Sequence, residues 1–138
     1  MNSTKLLIGT LAGFAAYFLS GFVLYTMVFA SALESAMPNM KAAQTEPNMV
    51  AIVVANLAAG FLLAWIFERW ASIRTLTSGA MAGGIIGFLI ALSYDCMFLG
   101  TTNLMTWNGV LLDSVVYAIG SAIAGAAVGW ALGFRRAA

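Results

Sequence analysis

Charged residues are scarce in this sequence, and histidine is absent. Of the 138 residues 8% are charged, and the chain has one cysteine and two prolines. A soluble domain carries about a quarter charged residues, so a water-facing surface cannot be built from this composition. The lack of histidine excludes Ser-His catalysis, the usual haem ligand and most transition-metal sites. Because Cys96 is single, an internal disulfide is also excluded, and we predict neither a metal nor a cofactor.

The abundant residues are apolar, and they fall in runs long enough to cross a membrane. Hydrophobic residues make up 62% of the chain, with a mean hydropathy of +0.96. A spanning helix needs about 20 apolar residues, and in lipid each backbone amide must be paired within its own segment. We predict an all-α polytopic membrane protein with a single domain (1–138), four transmembrane helices in an up-down-up-down bundle. The predicted spans are 5–29, 49–67, 75–99 and 108–134, with an outer loop at 30–48.

Basic residues predict the orientation of the chain. Lys41 alone falls on one side of the predicted spans, and five basic residues fall on the other. By the positive-inside rule, both termini lie in the cytoplasm. The net charge of +1 provides no clustered basic face for nucleic acid, so the expected partner is the lipid bilayer. The five residues are Lys5, Arg69, Arg74, Arg135 and Arg136.

Small residues recur every four positions on the third and fourth predicted helices. Apolar side chains gain nothing by leaving lipid for another helix, so membrane helices pack where small residues allow close backbone approach. GxxxG-type ridges on both partners favour a right-handed crossing. The predicted packing residues are Gly79, Gly83 and Gly87 on the third helix, and Ser121, Gly125, Gly129 and Gly133 on the fourth. Gly9 and Gly13 indicate a shorter ridge on the first helix.

The same spacing brings two aspartates to one depth. When the last hairpin is folded about Leu104, the two ridges come into register and Asp95 meets Asp113. Ionisable residues within spans are candidate functional groups, and two neighbouring carboxyl groups would share a proton or a cation. The predicted proton or cation site consists of Asp95, Asp113, Tyr94, Tyr117 and Asn56, and Ser114 is a further hydroxyl partner.

A purely structural interpretation stays open for these residues. Asp113 lies near the start of its helix, where a negative charge is favourable. Asp95 lies near the outer end of its helix, from where it would reach water. Asn56 lies inside the second helix, where it would form hydrogen bonds within the bundle.

Three segments carry a resemblance to known proteins: GFVLYTMVF in the first helix, YDCMFLGTTNL at the end of the third, and TWNGVLLDSVVYAIG at the start of the fourth. The chain resembles the uncharacterised bacterial families of small four-helix inner-membrane proteins that are grouped as domains of unknown function. The resemblance implies a four-helix fold and a location in the bacterial inner membrane. It implies no activity.

Three classes of function are compatible with the sequence. The first, which we expect, is a non-enzymatic helix-packing or accessory protein, as a homo-oligomer or a subunit of a larger membrane complex, since small-residue faces are in surplus. The second is a small proton- or cation-dependent transporter or channel that uses Asp95 and Asp113, and a hydrated path leading inward from the pair would favour it. The third is a carboxylate-dependent membrane enzyme, which would need a lipid-accessible cleft beside the pair.

Overall fold

The chain is helical throughout most of the part that the structure describes. The computed structural model describes residues 2–134, and no strand occurs within that range. Two short helices separate the first long helix from the other three. The elements are α1 (Ser3–Val23), α2 (Ala30–Ala36), α3 (Pro38–Ala43), α4 (Met49–Ile66), α5 (Leu76–Thr101) and α6 (Trp107–Phe134).

Single π-helical turns extend α1 and α4. They cover Leu24–Val28 and Phe67–Ala71. With them, four helices are long and apolar enough to cross a membrane, and the predicted all-α, four-helix fold is confirmed. The orientation stays a prediction, and two of the residues that support it, Arg135 and Arg136, lie outside the described range. The four helices are Ser3–Val28, Met49–Ala71, Leu76–Thr101 and Trp107–Phe134.

Side chains set where the long helices begin. The first N–H groups of a helix have no partner within it, and a side-chain oxygen just before the helix can accept from them. Asn2, Asn48 and Thr75 do this for α1, α4 and α5. At the start of α6, Thr106 Oγ1 accepts from the N–H of Gly109 at 2.9 Å. These helix starts are therefore encoded by local sequence.

The long helices pack in the order α4, α1, α6, α5, with only slight contact between α4 and α6. Gly9 meets Leu132 and Gly13 meets Val128, so α1 and α6 run antiparallel. We call the end of the bundle formed by residues 2–9, 64–79 and 127–134 the basic side. The opposite end, formed by residues 24–50 and 95–113, is the loop side.

α5 and α6 approach backbone to backbone along their small-residue ridges. A methyl group added at Gly79 would overlap the Gly125 carbonyl, and one at Gly83 would overlap the Ser121 carbonyl. These contacts follow the register that the sequence predicts. The other predicted packing residues are equally close to the facing helix or to the turn before it; they are Gly87, Gly129 and Gly133.

Apolar side chains close the basic side of the bundle. Leu63, Phe67 and Leu132 are each at most 1% exposed and belong to one cluster shared by α1, α4 and α6. Beside this cluster, Arg74 Nη2 lies 2.6 Å from Glu68 Oε2, with both side chains largely buried. The basic side is therefore sealed by packing and by a buried ion pair.

On the loop side, α2 and α3 form a packed cap. Asn39 Nδ2 donates a hydrogen bond to the Asn103 carbonyl at 2.8 Å, which ties the cap to the α5–α6 connection. The predicted outer loop is thus helical over most of its length. A buried apolar cluster joins the cap to α6 and the turn before it; its members are Leu33, Met37, Met105 and Val110.

Candidate ion-binding site

Asp95 and Asp113 lie at the same depth on facing sides of α5 and α6. Asp95 continues the buried face of α5 that Gly83 and Gly87 belong to, and it is 6% exposed. Asp113 is half-buried. At 1.5 Å per residue, each aspartate lies about 9 Å from the loop-side end of its helix. The structure therefore brings together the two carboxyl groups that the sequence places in register.

The Asp95 carboxyl has two polar neighbours, and neither satisfies it fully. The Asp113 carboxyl and the Ser114 hydroxyl both lie close to it. Even so, Asp95 Oδ2 and Ser114 Oγ are buried atoms without a hydrogen-bond partner among the described residues. Leaving a buried polar group unpaired costs about 1–3 kcal/mol, and more when the group is charged. A proton or a positive charge at this position would therefore stabilise the site.

Within residues 2–134, no cationic side chain neutralises the two aspartates. The ion pairs in that range are Glu68–Arg74 on the basic side and Glu34–Lys41 on the cap. Lys41 lines the same cavity as Asp113, but its Nζ lies 2.7 Å from Glu34 Oε1. A proton shared by the two carboxyl groups, or a bound cation, would balance the charge of the two carboxylates.

Tyr25 is a further member of the site, and it comes from the π-helical turn that extends α1. Its hydroxyl lies near the Asp113 carboxyl, and the two residues line the same cavity. π-helical turns occur frequently at functional sites. A phenol hydroxyl can both donate and accept a hydrogen bond. Tyr25 can therefore hydrogen-bond to Asp113 whether that residue is ionised or protonated, or offer its oxygen to a cation.

A cavity of about 510 Å³ lies between the cap and the helices and leads to the acidic pair. Asp113 and Tyr25 line it together with cap residues, among them Leu33, Met37 and Lys41. Water and small ions therefore have a route from the loop side to Asp113. Asp95 lies beyond Asp113, out of contact with this cavity.

Hydroxyl groups continue from the acidic pair toward the middle of the bundle. Tyr117 lies one turn along α6 from Asp113, and its ring stacks on that of Tyr17, with 6.1 Å between ring centroids. The Tyr17 hydroxyl donates to Ser121 Oγ at 2.9 Å, and this bond is buried. The apolar cluster of the basic side follows, so the line of polar groups ends about halfway across the bundle.

Two predicted site residues lie away from the acidic pair. Tyr94 is 63% exposed and packs against Phe98, because adjacent residues of a helix point about 100° apart. Tyr94 is therefore not part of the site. Asn56 lines a deeper cavity instead, and its Nδ2 donates to the Ile52 carbonyl of its own helix at 2.8 Å.

Tyr17 of α1 and Tyr25 of the π-helical turn that extends it were not among the residues predicted from the sequence. The four-residue spacing that begins with Gly9 and Gly13 continues through Tyr17, Gly21 and Tyr25. This spacing was a usable signal, since the residues it links face α6 or the cavities beside it. Ser121 received only a packing role, although its hydroxyl also accepts the hydrogen bond from Tyr17.

The fold and the site define a class of protein: four apolar helices suited to a multi-pass membrane protein, with a pair of acidic residues near one end of the bundle. Residues 8–129 match the model of a family described as "Protein of unknown function (DUF1761)", and the chain belongs to that family. The predicted kinship with an uncharacterised family is confirmed. No curated protein and no solved structure matches the chain.

Proposed function

We propose that this protein binds a proton or a small monovalent cation at the Asp95–Asp113 pair, as the ion site of a small transporter. The observation that carries the proposal is the buried Asp95 carboxyl, which has an unpartnered oxygen beside a second carboxyl group. Two ionised carboxylates in a buried site repel each other, and one positive charge between them relieves that repulsion.

The available ligands favour a proton or a monovalent cation over a divalent metal. The two carboxyl groups and the hydroxyls of Tyr25 and Ser114 are all oxygen donors, whereas transition metals prefer imidazole or thiolate. Calcium takes about six to eight oxygens. Over residues 2–134, no three His, Cys, Asp or Glu side chains come together as a metal-binding group.

Access from the loop side alone corresponds to one state of a transporter. The 510 Å³ cavity reaches Asp113, while Leu63, Phe67 and Leu132 close the opposite side. Release toward the basic side would require α4 to move relative to α6, and these two helices touch only slightly. α5 and α6 would stay together, since their backbones are in contact.

Thermal unfolding of the purified protein in detergent tests the proposal. It is measured across pH, in sodium, potassium and lithium chloride, for the wild type, Asp95→Asn and Asp113→Asn. A ligand that binds only the folded state raises apparent stability by mass action. We expect the wild type to melt at lower temperature as pH rises, and one cation to reverse that loss. Asp95→Asn should respond to neither. Asp113→Asn should lose the cation response and keep a weaker pH response, because burial alone opposes ionisation of Asp95.

The other titratable groups near the pair need a control. They are Tyr25 and Tyr117 beside it, and Glu34 and Lys41 at the loop-side cavity. The double variant Glu34→Gln, Lys41→Gln should keep the wild-type response, because it removes both charges of the cap pair and leaves no free cation beside Asp113. A flat response in the wild type, or one that survives in both aspartate variants, would contradict the proposal.

A helix-packing or accessory role without enzymatic activity is the second candidate. Residues 49–55 of α4 are almost all exposed, which leaves room for a partner helix or a second copy. However, the predicted packing glycines make their contacts within the chain. The small-residue faces that favoured a homo-oligomer are therefore already used in packing the chain's own helices. A carboxylate-dependent enzyme would use the same pair, and it stays a prediction.

We also propose that the protein lies in an inner membrane with both termini in the cytoplasm. The bias of basic residues supports this orientation. It places the acidic pair and its cavity on the outer side. A cysteine introduced at exposed Ser35 should react with a membrane-impermeant thiol reagent in intact cells. Labelling only after lysis would show that the chain has the opposite orientation.

A further inference from the structure

A second cavity, of about 200 Å³, lies deeper in the bundle than the acidic pair. α1 lines it with Tyr17, Ser20 and Tyr25, α6 contributes Tyr117, and Asn56 is the residue of α4 among those lining it. Tyr25 lines the loop-side cavity as well. One side chain is therefore shared by the ion route and the deeper cavity.

The deeper cavity combines an apolar wall with a few polar groups. Gly21, Leu24 and Val116 belong to the wall. Ser20 Oγ is buried without a hydrogen-bond partner among the described residues, and Asn56 uses an N–H of its amide on its own helix. Ligand sites in proteins are typically apolar with a small number of placed polar groups. The unpartnered serine points to a ligand that brings its own hydrogen-bonding group.

The cavity lies beside the loop-side half of α4, which is exposed on its outer surface. α1 and α4 meet at Gly13 and Gly60, and toward the loop side α4 is exposed at every residue from 49 to 55 except Val53. Val50 and Val54 are 75% and 58% exposed. Since this half of α4 stands apart from α6, a molecule dissolved in lipid can reach Asn56 from the side.

We propose that this cavity binds a small neutral amphiphile, an apolar ring or branched chain with one hydroxyl or amide group, which enters from the bilayer. An apolar cavity of about 150 Å³ accommodates benzene, so about 200 Å³ admits a substituted ring. The lining side chains are hydroxyl, amide and apolar, and a charged solute would lose its hydration without a counter-charge. Ser20 and Asn56 are the groups that would receive the polar end of the ligand.

A role of this cavity in transport rests on the proposed function. In that case the amphiphile is the transported solute, and the ion bound at the acidic pair is coupled to its movement. Tyr25 provides the link, because it lines the loop-side cavity together with Asp113 and also lines the deeper cavity. A movement of its ring would alter both sites together. Binding of the amphiphile by itself does not require an ion at the pair.

Fluorine NMR of 4-fluorophenol with the purified protein in detergent tests the binding. Fluorobenzene is the matched probe without a hydroxyl, and empty micelles give the reference for partitioning. Gly21→Leu fills the cavity, since a Cβ at Gly21 meets nothing within 4 Å. Gly100→Leu is the control, because a Cβ at Gly100 also meets nothing within 4 Å, and Gly100 lies near the C-terminal end of α5. Melting temperatures near that of the wild type establish that both variants fold.

We expect saturable binding of 4-fluorophenol by the wild type and Gly100→Leu, and binding weaker by about tenfold or more in Gly21→Leu. Ser20→Ala should weaken it about fivefold, the effect of one hydrogen bond, and leave fluorobenzene unchanged. Equal affinity in Gly21→Leu, equal affinity for the two probes, or partitioning identical to that of empty micelles would overturn the proposal.

The two proposals fail in different ways. If 4-fluorophenol binds while the wild type melts independently of pH and cations, the ion-site proposal is rejected and the cavity proposal stands. If melting depends on the pair while Gly21→Leu binds 4-fluorophenol as the wild type does, the ion site remains and the cavity proposal is removed. Asp95→Asn should still bind 4-fluorophenol, which separates binding from coupling.

Discussion

The two ends of the bundle are built from similar apolar residues, yet one is sealed and the other is open. On the basic side, Phe67 is fully buried and the Glu68–Arg74 ion pair is largely buried. On the loop side, a cavity of about 510 Å³ reaches Asp113, and Asp95 keeps a buried oxygen without a partner. The two aspartates thus lie at the end of the bundle where a cavity opens between the elements, and side-chain packing closes the opposite end.

The two helix hairpins show the same difference. α5 and α6 touch through backbone atoms at Gly79 and Gly83, and Gly87 packs against the Ser121 side chain. α1 and α4 approach most closely at Gly13 and Gly60 and leave the loop-side half of α4 exposed. The close-packed pair α5 and α6 is therefore a frame that holds Asp95, and the pair α1 and α4 provides room for a cavity.

The largest expected effect is on the sealed basic side. Arg74→Met should lower the free energy of unfolding by about 3 kcal/mol, because it leaves the buried Glu68 carboxylate without its partner. The guanidinium also donates to the carbonyls of Phe67 and Ile73, which would lose that bond. Chemical denaturation in detergent, followed by tryptophan fluorescence, measures the change.

Two controls separate charge pairing from other effects of Arg74→Met. Arg69→Met removes an exposed cation from the same connection and should change stability little. The double variant Glu68→Gln, Arg74→Met should recover much of the loss, since no unpaired charge stays buried. If Arg69→Met were as destabilising as Arg74→Met, the buried pair would not be what seals this end.

The frame formed by α5 and α6 is tested by two neighbouring glycines. Gly83→Ala should destabilise the protein by about 2 kcal/mol, the usual cost of overpacking, because its Cβ would overlap the Ser121 carbonyl. Gly84→Ala should be neutral or stabilising by up to about 1 kcal/mol, since its Cβ would lie 3.5 Å from the Ala122 Cβ. Similar unfolding curves for the two variants would show that the close contact does not hold the hairpin.

The smallest effect is expected at the exposed ion pair of the cap. The hydrogen bond with Glu34 raises the pKa of Lys41 above its usual value. The pair therefore contributes fully below the pKa of Lys41 in the unfolded chain, and its contribution is lost as pH rises through the higher pKa of the folded state. Exposed pairs contribute little, so Lys41→Gln should leave the melting temperature at pH 7 unchanged. A clear loss at pH 7, absent in strong alkali, would show that the pair anchors the cap.

Much of the architecture follows from the sequence alone. The four long helices begin close to the predicted positions, since Asn48 and Thr75 cap them locally. The register of α5 and α6 also follows, because glycines spaced by four can meet only as ridges. This register places Asp95 beside Asp113, although the sequence wrongly adds Tyr94, which faces away from the pair.

The rest of the site depends on how α1 is rotated against α6. Tyr25 reaches Asp113 from a π-helical turn, and no residue type signals such a turn. The separation of α4 from α6, which opens the deeper cavity, likewise has no local signal. Residues 49–55 have the same apolar character as the buried residues 63 and 64.

The sequence by itself determined that this chain forms four apolar helices, where they begin, and that two acidic residues come to one depth. These features depend on run length, capping side chains and four-residue spacing, which act within a segment or between adjacent segments. Only the tertiary structure decided that Tyr25 joins the pair, that the basic side closes and that cavities stay on the loop side. Those features depend on the angle and rotation of helices far apart in the chain, which are set by the sum of their packing contacts.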